Sequence, residues 1–260
     1  NTLRLWRTNS GEPLPTIVDI AGASVSHINF SPDARFVGLI SGSRVAVIDV
    51  ADGSIVADHD SGQTYSGLTF AAENQLYLGT ENGRLQLLSR GDDNNWHMQQ
   101  IWQGAEGIRA LRASPRGKLL ILIDQNNLAS QFFLAEGRIG DGTLQLAADV
   151  QEIVFDKNGT HAYFRTSRWV HRAGSSISGL TWMDAFFVPR SLNGAGIVHG
   201  NGVSPSSAGR RMYLPVARNG YVEFVELSSK GSGAAALFGN KQELLQEWRD
   251  RVSATPREGS

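Results

Sequence analysis

The 260-residue sequence predicts an all-β protein made of repeated four-stranded antiparallel sheets, and two observations lead to this prediction. The first is a hexapeptide that recurs four times, each copy followed directly by a turn: VSHINF (25–30), YSGLTF (65–70), IRALRA (108–113) and VQEIVF (150–155). The last residues of these copies are 40, 43 and 42 positions apart, a period found in propeller blades and in some helical repeats. The second observation is that short β-branched runs separated by Gly, Asn, Asp and Pro fill each interval, which favours strands over helices. We therefore predict a β-propeller of four-stranded blades.

The elements of each unit follow one order. In the first unit the hexapeptide and the turn SPDAR precede FVGLIS, a tight SGS, RVAVIDV, the turn ADG and SIVADH. The second unit repeats this order with LYLGT, ENG, RLQLLSR, GDDNN and WHMQQIW. Gly or Asn in ENG, QNN and RNG supplies the positive φ that a tight hairpin requires. Each unit is therefore expected to contribute four strands.

The number of units is expected to leave the ring incomplete. The chain opens with what the period marks as the third and fourth strands of a unit, from Leu3 to Trp6 and from Pro15 to Ile20. Five units are expected to follow, at 25–60, 65–102, 108–147, 150–192 and 196–239. We expect a complete ring of six or seven blades in which the missing strands come from upstream in a larger multidomain protein or from a second chain. The alternative is a closed six-bladed ring with a reduced first blade.

The string V-x-H-I-x-F-S-P-D-A-R at 25–35, followed by an apolar strand, a Gly turn and VAVIDVADG, resembles the WD-repeat form of the β-propeller. The opening LRLWRTNSGEPL is similar to the end of such a repeat, with Trp6 and Arg7 where the Trp-Asp pair would fall. The resemblance extends to about Phe238, and a bacterial-type regulatory protein is the nearest analogy. The sequence departs from the family pattern because the Gly-His pair is absent and Asp49 alone keeps the acidic half of Trp-Asp.

This resemblance implies a docking face formed by the loops between second and third strands together with those leading into each first strand. Arginines with aromatic neighbours are enriched at interaction hot spots, and several candidates fall on these loops. The candidate partner-binding residues are Arg44, Glu81, Asn82, Arg109, Arg168, Trp169, Arg218, Asn219 and Tyr221. The alternative is that they form a solvated rim. Strict strand alternation predicts that Arg109 and Arg112 point to opposite faces.

Composition and charge exclude several classes of function. A net charge of −1 argues against a nucleic-acid binder, because such proteins concentrate positive charge against phosphates. No apolar run approaches the length of a membrane span. The chain contains no cysteine, which fits a reducing compartment, and we expect a cytoplasmic protein.

No reactive centre or metal site is expected from the sequence. The histidines fall at non-equivalent blade positions without metal-ligand spacing, and this includes His171 and His199, which lie in or beside the irregular 190–211 loop. We therefore expect no cofactor and no catalysis; a propeller enzyme of the lactonase or quinoprotein type is the alternative.

The C-terminal residues differ from the repeats. Leu244, Leu245, Trp248 and Val252 would share one side of a helix over 240–253, and residues 254–260 are expected to be disordered. The function expected is a non-catalytic module for protein interaction or sensing, whose partner is another protein or another domain of the same polypeptide. A structural subunit completed by a partner chain is a further alternative.

Overall fold

The structure is a computed structural model that describes residues 2–6, 10–19, 24–146, 150–155, 159–165, 169–176, 179–187, 204–205, 211–218 and 221–228. These residues form β-strands and turns and contain no helix, so the predicted all-β class is confirmed. The predicted helix over 240–253 and the tail over 254–260 lie outside them.

Four complete four-stranded antiparallel blades follow one another along the chain. Blade I contains β3 (His27–Phe30), β4 (Phe36–Ser41), β5 (Arg44–Asp49) and β6 (Ile55–Asp60). Blade II contains β7 (Tyr65–Ala72), β8 (Gln75–Thr80), β9 (Arg84–Arg90) and β10 (Trp96–Gln103). Blade III contains β11 (Ile108–Ala113), β12 (Leu119–Asp124), β13 (Leu128–Phe133) and β14 (Arg138–Gln145). Blade IV contains β15 (Glu152–Phe155), β16 (His161–Arg165), β17 (Trp169–Ser176) and β18 (Gly179–Phe187).

Two smaller sheets complete the described strands. The first pairs β1 (Thr2–Trp6) with β2 (Pro13–Asp19). The second is ordered β19 (Ser204–Pro205), β20 (Arg211–Arg218) and β21 (Tyr221–Ser228). The predicted fifth unit at 196–239 is thus represented by three strands, one of which lies within the 190–211 segment that the sequence leaves irregular.

The turns between second and third strands have the predicted backbone. Gly42, Gly83 and Asn127 have φ values of 63°, 83° and 61° in the turns of blades I, II and III. These are left-handed conformations that Gly and Asn adopt at low cost, which explains why these residue types recur there. Turn chemistry therefore sets the hairpin register in each blade.

The hexapeptide strands lie at the inside of the ring. The first strands β3, β7, β11 and β15 contact one another in series, from blade I to blade IV. Their apolar side chains pack on the preceding blade, as Leu68 and Phe70 do in one core cluster with Phe36 and Ile40. The same cluster type joins blades II and III and blades III and IV. The hydrophobic core is therefore divided among the blade interfaces, as burial between stacked sheets requires.

The sheet of β1 and β2 corresponds to the outer half of a blade. Its strands begin 42 residues before β5 and β6, which confirms the predicted assignment as third and fourth strands. Leu3 packs against the face of blade I that carries Leu39 and Ile48. The inner residues of that same face, Ile28 and Phe30, remain 50% and 47% exposed. In the described residues, the sheet ends at β1, so no first or second strand covers these side chains.

Blades III and IV are also joined at their outer strands. β14 and β18 form one parallel bridge between Gly142 and Gly179, which merges the two blades into an eight-stranded sheet. A Cβ on Gly179 would lie 2.4 Å from the Gly142 Cα, so this approach requires glycine. The fully buried Gln131 of β13 donates from its amide nitrogen to the Ser175 hydroxyl of β17. This blade interface is therefore more extensively connected than a pair of sheets in simple face-to-face contact.

Candidate interaction surface

One face of the ring is formed by two sets of loops that hydrogen bond to each other. The first set consists of the turns between second and third strands, at 42–43, 81–83 and 125–127. The second set consists of the segments that enter or leave the connections between blades, at 61–64, 104–107 and 146, and each lies beside one of these turns. The Tyr65 amide donates to the Gly42 carbonyl at 3.1 Å, and the Gly104 amide donates to the Gly83 carbonyl at 2.9 Å. Leu146 donates in the same way to Asn127 at 2.9 Å. We call these two sets of loops the rim.

Hydrogen bonds also connect the rim from one blade to the next. The Gln125 side-chain amide of blade III donates to the Glu81 carbonyl of blade II at 3.3 Å. The Asn82 side-chain amide of blade II donates to the Gln63 side-chain oxygen at 3.2 Å. The rim is therefore continuous over blades II and III and over the connection that precedes them.

Side-chain amides from the fourth strands donate hydrogen bonds to the carbonyls of the turns. Gln103 donates to the Asn82 carbonyl at 2.9 Å, and Gln145, at the equivalent place in blade III, donates to the Asn126 carbonyl at 2.8 Å. The Thr80 hydroxyl accepts from the Arg84 amide at 2.9 Å, which closes the turn between β8 and β9. Exposed Glu81, Asn82 and Asn126 are consequently held on a preorganised backbone.

Of the predicted partner-binding residues, Glu81 and Asn82 lie together on the rim and are exposed. Arg44 lies at the start of β5, but its guanidinium forms a bidentate ion pair with Asp58 of β6. The hydrogen bonds from Arg44 hold the pKa of Asp58 below its ordinary value. Arg44 is therefore engaged within its own blade.

Arg109 joins two blades, because its guanidinium donates to the Val150 carbonyl at 3.1 Å. Trp169 begins β17, and Arg218 at the end of β20 pairs with Tyr221 at the start of β21. Arg168 and Asn219 lie outside the described residues. The participation of these nine residues in partner binding stays a prediction.

The inner edges of the first strands carry a feature that the sequence reasoning missed. At the fifth hexapeptide position, the Asn29 side-chain oxygen accepts from the Phe70 amide of the next blade at 3.1 Å. Thr69 at the same position accepts from the Ala113 amide at 3.1 Å. At the second position, Ser66 donates to the Ile108 carbonyl of the next blade, as Arg109 does to Val150. Alignment of the hexapeptides by position would have revealed these recurring polar residues.

Arg109 and Arg112 do not point to opposite faces as strict alternation predicts. A bulge between Ile108 and Ala110 interrupts the alternation of β11, and both arginines turn toward blade IV. Arg112, whose side chain is exposed, interacts electrostatically with Glu152 of blade IV. Because the two arginines occupy opposite ends of the strand, they still belong to different surfaces.

A charged pair replaces apolar side chains on the inner part of blade IV. Arg165 is 3% exposed and pairs with Glu152 at 3.2 Å, and it also donates to the Gln151 side-chain oxygen at 2.9 Å. Ile40 and Ile123 occupy the position of Arg165 in blades I and III. At this position, the described part of blade IV is therefore more polar than the same position in blades I and III.

The described residues hold no group of three His, Asp or Glu side chains arranged to bind a metal ion. His27 lies at the third hexapeptide position, where partial burial lowers the pKa of its imidazole. His97, on the outermost strand of blade II, pairs with Asp93 at 3.1 Å. His27 and His97 therefore lie in different blades and have different neighbours. Among the described residues, no helix is long and apolar enough to cross a membrane.

Comparison with known proteins identifies the fold. No family model matches the sequence. No curated protein matches it either. Among solved structures, the chain is similar to the β-propeller domain of Cps50 (Swd1) from Myceliophteria thermophila, with a TM-score of 0.64 and 12% identity over 89% of this chain and 82% of that one. It is also similar to hydrazine synthase from Kuenenia stuttgartiensis, with a TM-score of 0.66 and 15% identity over 96% of this chain and 77% of that one. The repeated antiparallel blades and these likenesses together show that the chain has the β-propeller fold.

Proposed function

We propose that this propeller is a non-catalytic module that binds another protein through its rim. The observation that carries the proposal is the network of hydrogen bonds that links the Gln63, Asn82, Glu81 and Gln125 positions across neighbouring blades. A surface whose backbone is already ordered loses less conformational entropy on binding than a mobile loop does. The rim is therefore the part of the described surface best prepared for a macromolecular partner.

The chemistry of the rim favours a polar partner surface. The exposed side chains of Glu81, Asn82, Gln103 and Asn126 are all polar, and the amides of Asn82 and Gln103 also donate within the rim. Protein interfaces combine such polar rims with a few large anchors. In this proposal Trp169 and Tyr221, the first residues of β17 and β21, supply those anchors.

The similarity of 25–35 to a WD repeat supports a regulatory role, in which the propeller belongs to a larger signalling protein in the cytoplasm. The fold alone hosts many functions, so the argument for binding rests on the rim. The solved structures that resemble this chain include a propeller domain and an enzyme, and their low identity assigns neither role here.

Two photo-crosslinking variants test the proposal. A photoreactive residue replaces Asn82 on the rim in one variant and Asn74, in the turn between β7 and β8 at the other end of β8, in the second. We expect the rim variant to form a discrete adduct with one protein that mass spectrometry identifies, and the second variant to give none.

Matched charge reversals then test the interface with the purified partner. Glu81→Lys lies on the rim, whereas Glu73→Lys alters another exposed glutamate, at the opposite end of β8. We expect Glu81→Lys to weaken the Kd about tenfold, or about 1.4 kcal/mol, and Glu73→Lys to leave it unchanged, as calorimetry would measure. Adducts formed only at position 74, or equal affinities for wild type and Glu81→Lys, would contradict the proposal.

A further inference from the structure

Neighbouring first strands are connected by one recurring hydrogen bond, which the described residues of blades III and IV do not show. Asn29 and Thr69 each offer a side-chain oxygen to the amide of the sixth hexapeptide residue in the next blade. These amides belong to Phe70 and Ala113, whose hydrogens point away from their own second strands. The acceptors therefore satisfy backbone donors at the inner edge of the ring.

Arg112 occupies this fifth position in blade III, and Phe155 is the sixth residue of the next hexapeptide. β15 pairs with β16 so that Phe155 lies opposite Ala162, which corresponds to the pairing of Ala113 with Leu120. The Phe155 amide consequently points toward the inner edge, as the Ala113 amide does. Since a guanidinium only donates hydrogen bonds, Arg112 cannot serve as the acceptor that Asn29 and Thr69 provide.

Arg112 interacts with the Glu152 carboxylate, which also pairs with the buried Arg165 at 3.2 Å. Among the residues that the structure describes, two guanidinium groups therefore share one carboxylate. Within the described residues, Arg112 has no hydrogen-bond acceptor, and its side chain is exposed to solvent. In the described part of the chain, the Arg112 guanidinium and the Phe155 amide are thus two donors without a hydrogen-bond acceptor at the inner edge between blades III and IV.

We propose that Arg112 and the Phe155 amide form an anion site at the inner edge between blades III and IV, and that its ligand is a carboxylate. A carboxylate presents two oxygens that can accept from a guanidinium and from an amide at the same time. The site lies near the turns between first and second strands, at the opposite end of β11 from Arg109 and the rim. It therefore binds its ligand independently of the rim.

The carboxylate could belong to a small acid or to an acidic side chain of a polypeptide, and two probes distinguish these sources. We would titrate isotopically labelled protein with acetate, and separately with a terminally blocked tripeptide that carries one glutamate, and record nitrogen–proton spectra. We expect saturable shifts of the Phe155 amide and the Arg112 Nε resonances with at least one probe. Tighter binding of the tripeptide would indicate a polypeptide ligand, and equal or tighter binding of acetate would indicate a small acid.

The substitution Arg112→Asn provides a test that preserves folding. Asparagine is the residue that occupies this position in blade I, and its oxygen can accept from the Phe155 amide. We expect this variant to unfold at no lower urea concentration than wild type and to lose the saturable shifts entirely. Arg116→Asn, which removes the same charge from the exposed turn that follows β11, should retain them.

Three results would overturn the proposal: no saturable shift of Phe155 with either probe, equal shifts in Arg112→Asn, or equal affinity for chloride at matched ionic strength. Glu81→Lys should leave the shifts intact, so failure of this site is distinguishable from failure of the rim.

Discussion

At the scale of single residues, the polar side chains at the inner edges of the first strands replace hydrogen bonds that an inner strand cannot form with a neighbouring strand. The first strand of a blade pairs on one side only, so its other edge presents unpaired backbone donors and acceptors. Asn29 and Thr69 satisfy such donors, and Ser66 satisfies an acceptor. These polar residues therefore stabilise the ring without contributing to its apolar core.

Removal of one such cap should be measurable. Asn29→Leu leaves the Phe70 amide without its acceptor, and we expect the free energy of unfolding to fall by about 1–3 kcal/mol. Asn29→Thr is the matched control, because threonine performs the same role at position 69 and should retain most of the stability. Urea unfolding followed by tryptophan fluorescence measures both variants, and equal stability of Asn29→Leu and wild type would show that the cap contributes nothing.

At the scale of elements, glycines in the second strands set how closely successive blades approach. A Cβ on Gly79 of β8 would lie 2.7 Å from Ile108 Cγ2 and 3.2 Å from Leu111 Cδ2, both on the first strand of blade III. A Cβ on Gly38 of β4 would lie 3.0 Å from Leu76 Cδ2, the end of a flexible side chain. Close packing leaves little room for an added methyl group, and less room at Gly79 than at Gly38.

We expect Gly79→Ala to lower the free energy of unfolding by about 1–3 kcal/mol through overpacking, and Gly38→Ala to lower it by less. Ile108→Ala removes the clashing Cγ2 atom, so its cost should be smaller in the Gly79→Ala background than in wild type. Urea unfolding of the two single variants and the double variant measures this coupling. Strictly additive losses would show that the two residues do not compete for space.

At the scale of the whole molecule, blade I differs from the blades that follow it because the sheet preceding it has two described strands. Phe30 is 47% exposed, whereas Phe70 and Phe155 at the same hexapeptide position are each 6% exposed. Burial of this position requires the inner strands of a preceding blade. The described residues therefore leave the apolar face of Ile28 and Phe30 largely uncovered.

Truncation of equivalent phenylalanines should reveal this asymmetry. We expect Phe70→Ala to cost about 3–5 kcal/mol, as cavity formation in a core does, while Phe30→Ala costs a small fraction of that amount because half of its side chain is already in water. Chemical denaturation of the 260-residue chain compares the two. Similar losses for both variants would mean that Phe30 is covered in solution.

Period and turn chemistry in the sequence were sufficient to determine the class of fold and the bounds of the regular blades. Strands that are buried on both faces favour β-branched runs, and tight hairpins favour residues that adopt positive φ. Both recur at regular spacing in this sequence, and the turns of Gly42, Gly83 and Asn127 follow that pattern. The rim turns that carry Glu81 and Asn82 could be predicted for the same reason.

Tertiary structure alone decided which polar side chains meet. The ion pair of Arg44 with Asp58, the bond from Arg109 to Val150 and the position of Arg112 beside blade IV depend on bulges and on the offset between neighbouring blades. A bulge shifts alternation by one residue, and the repeat period does not encode that shift. The sequence by itself therefore determined a ring of four-stranded sheets, whereas the three-dimensional packing of adjacent first strands decided which backbone donors are capped by side chains.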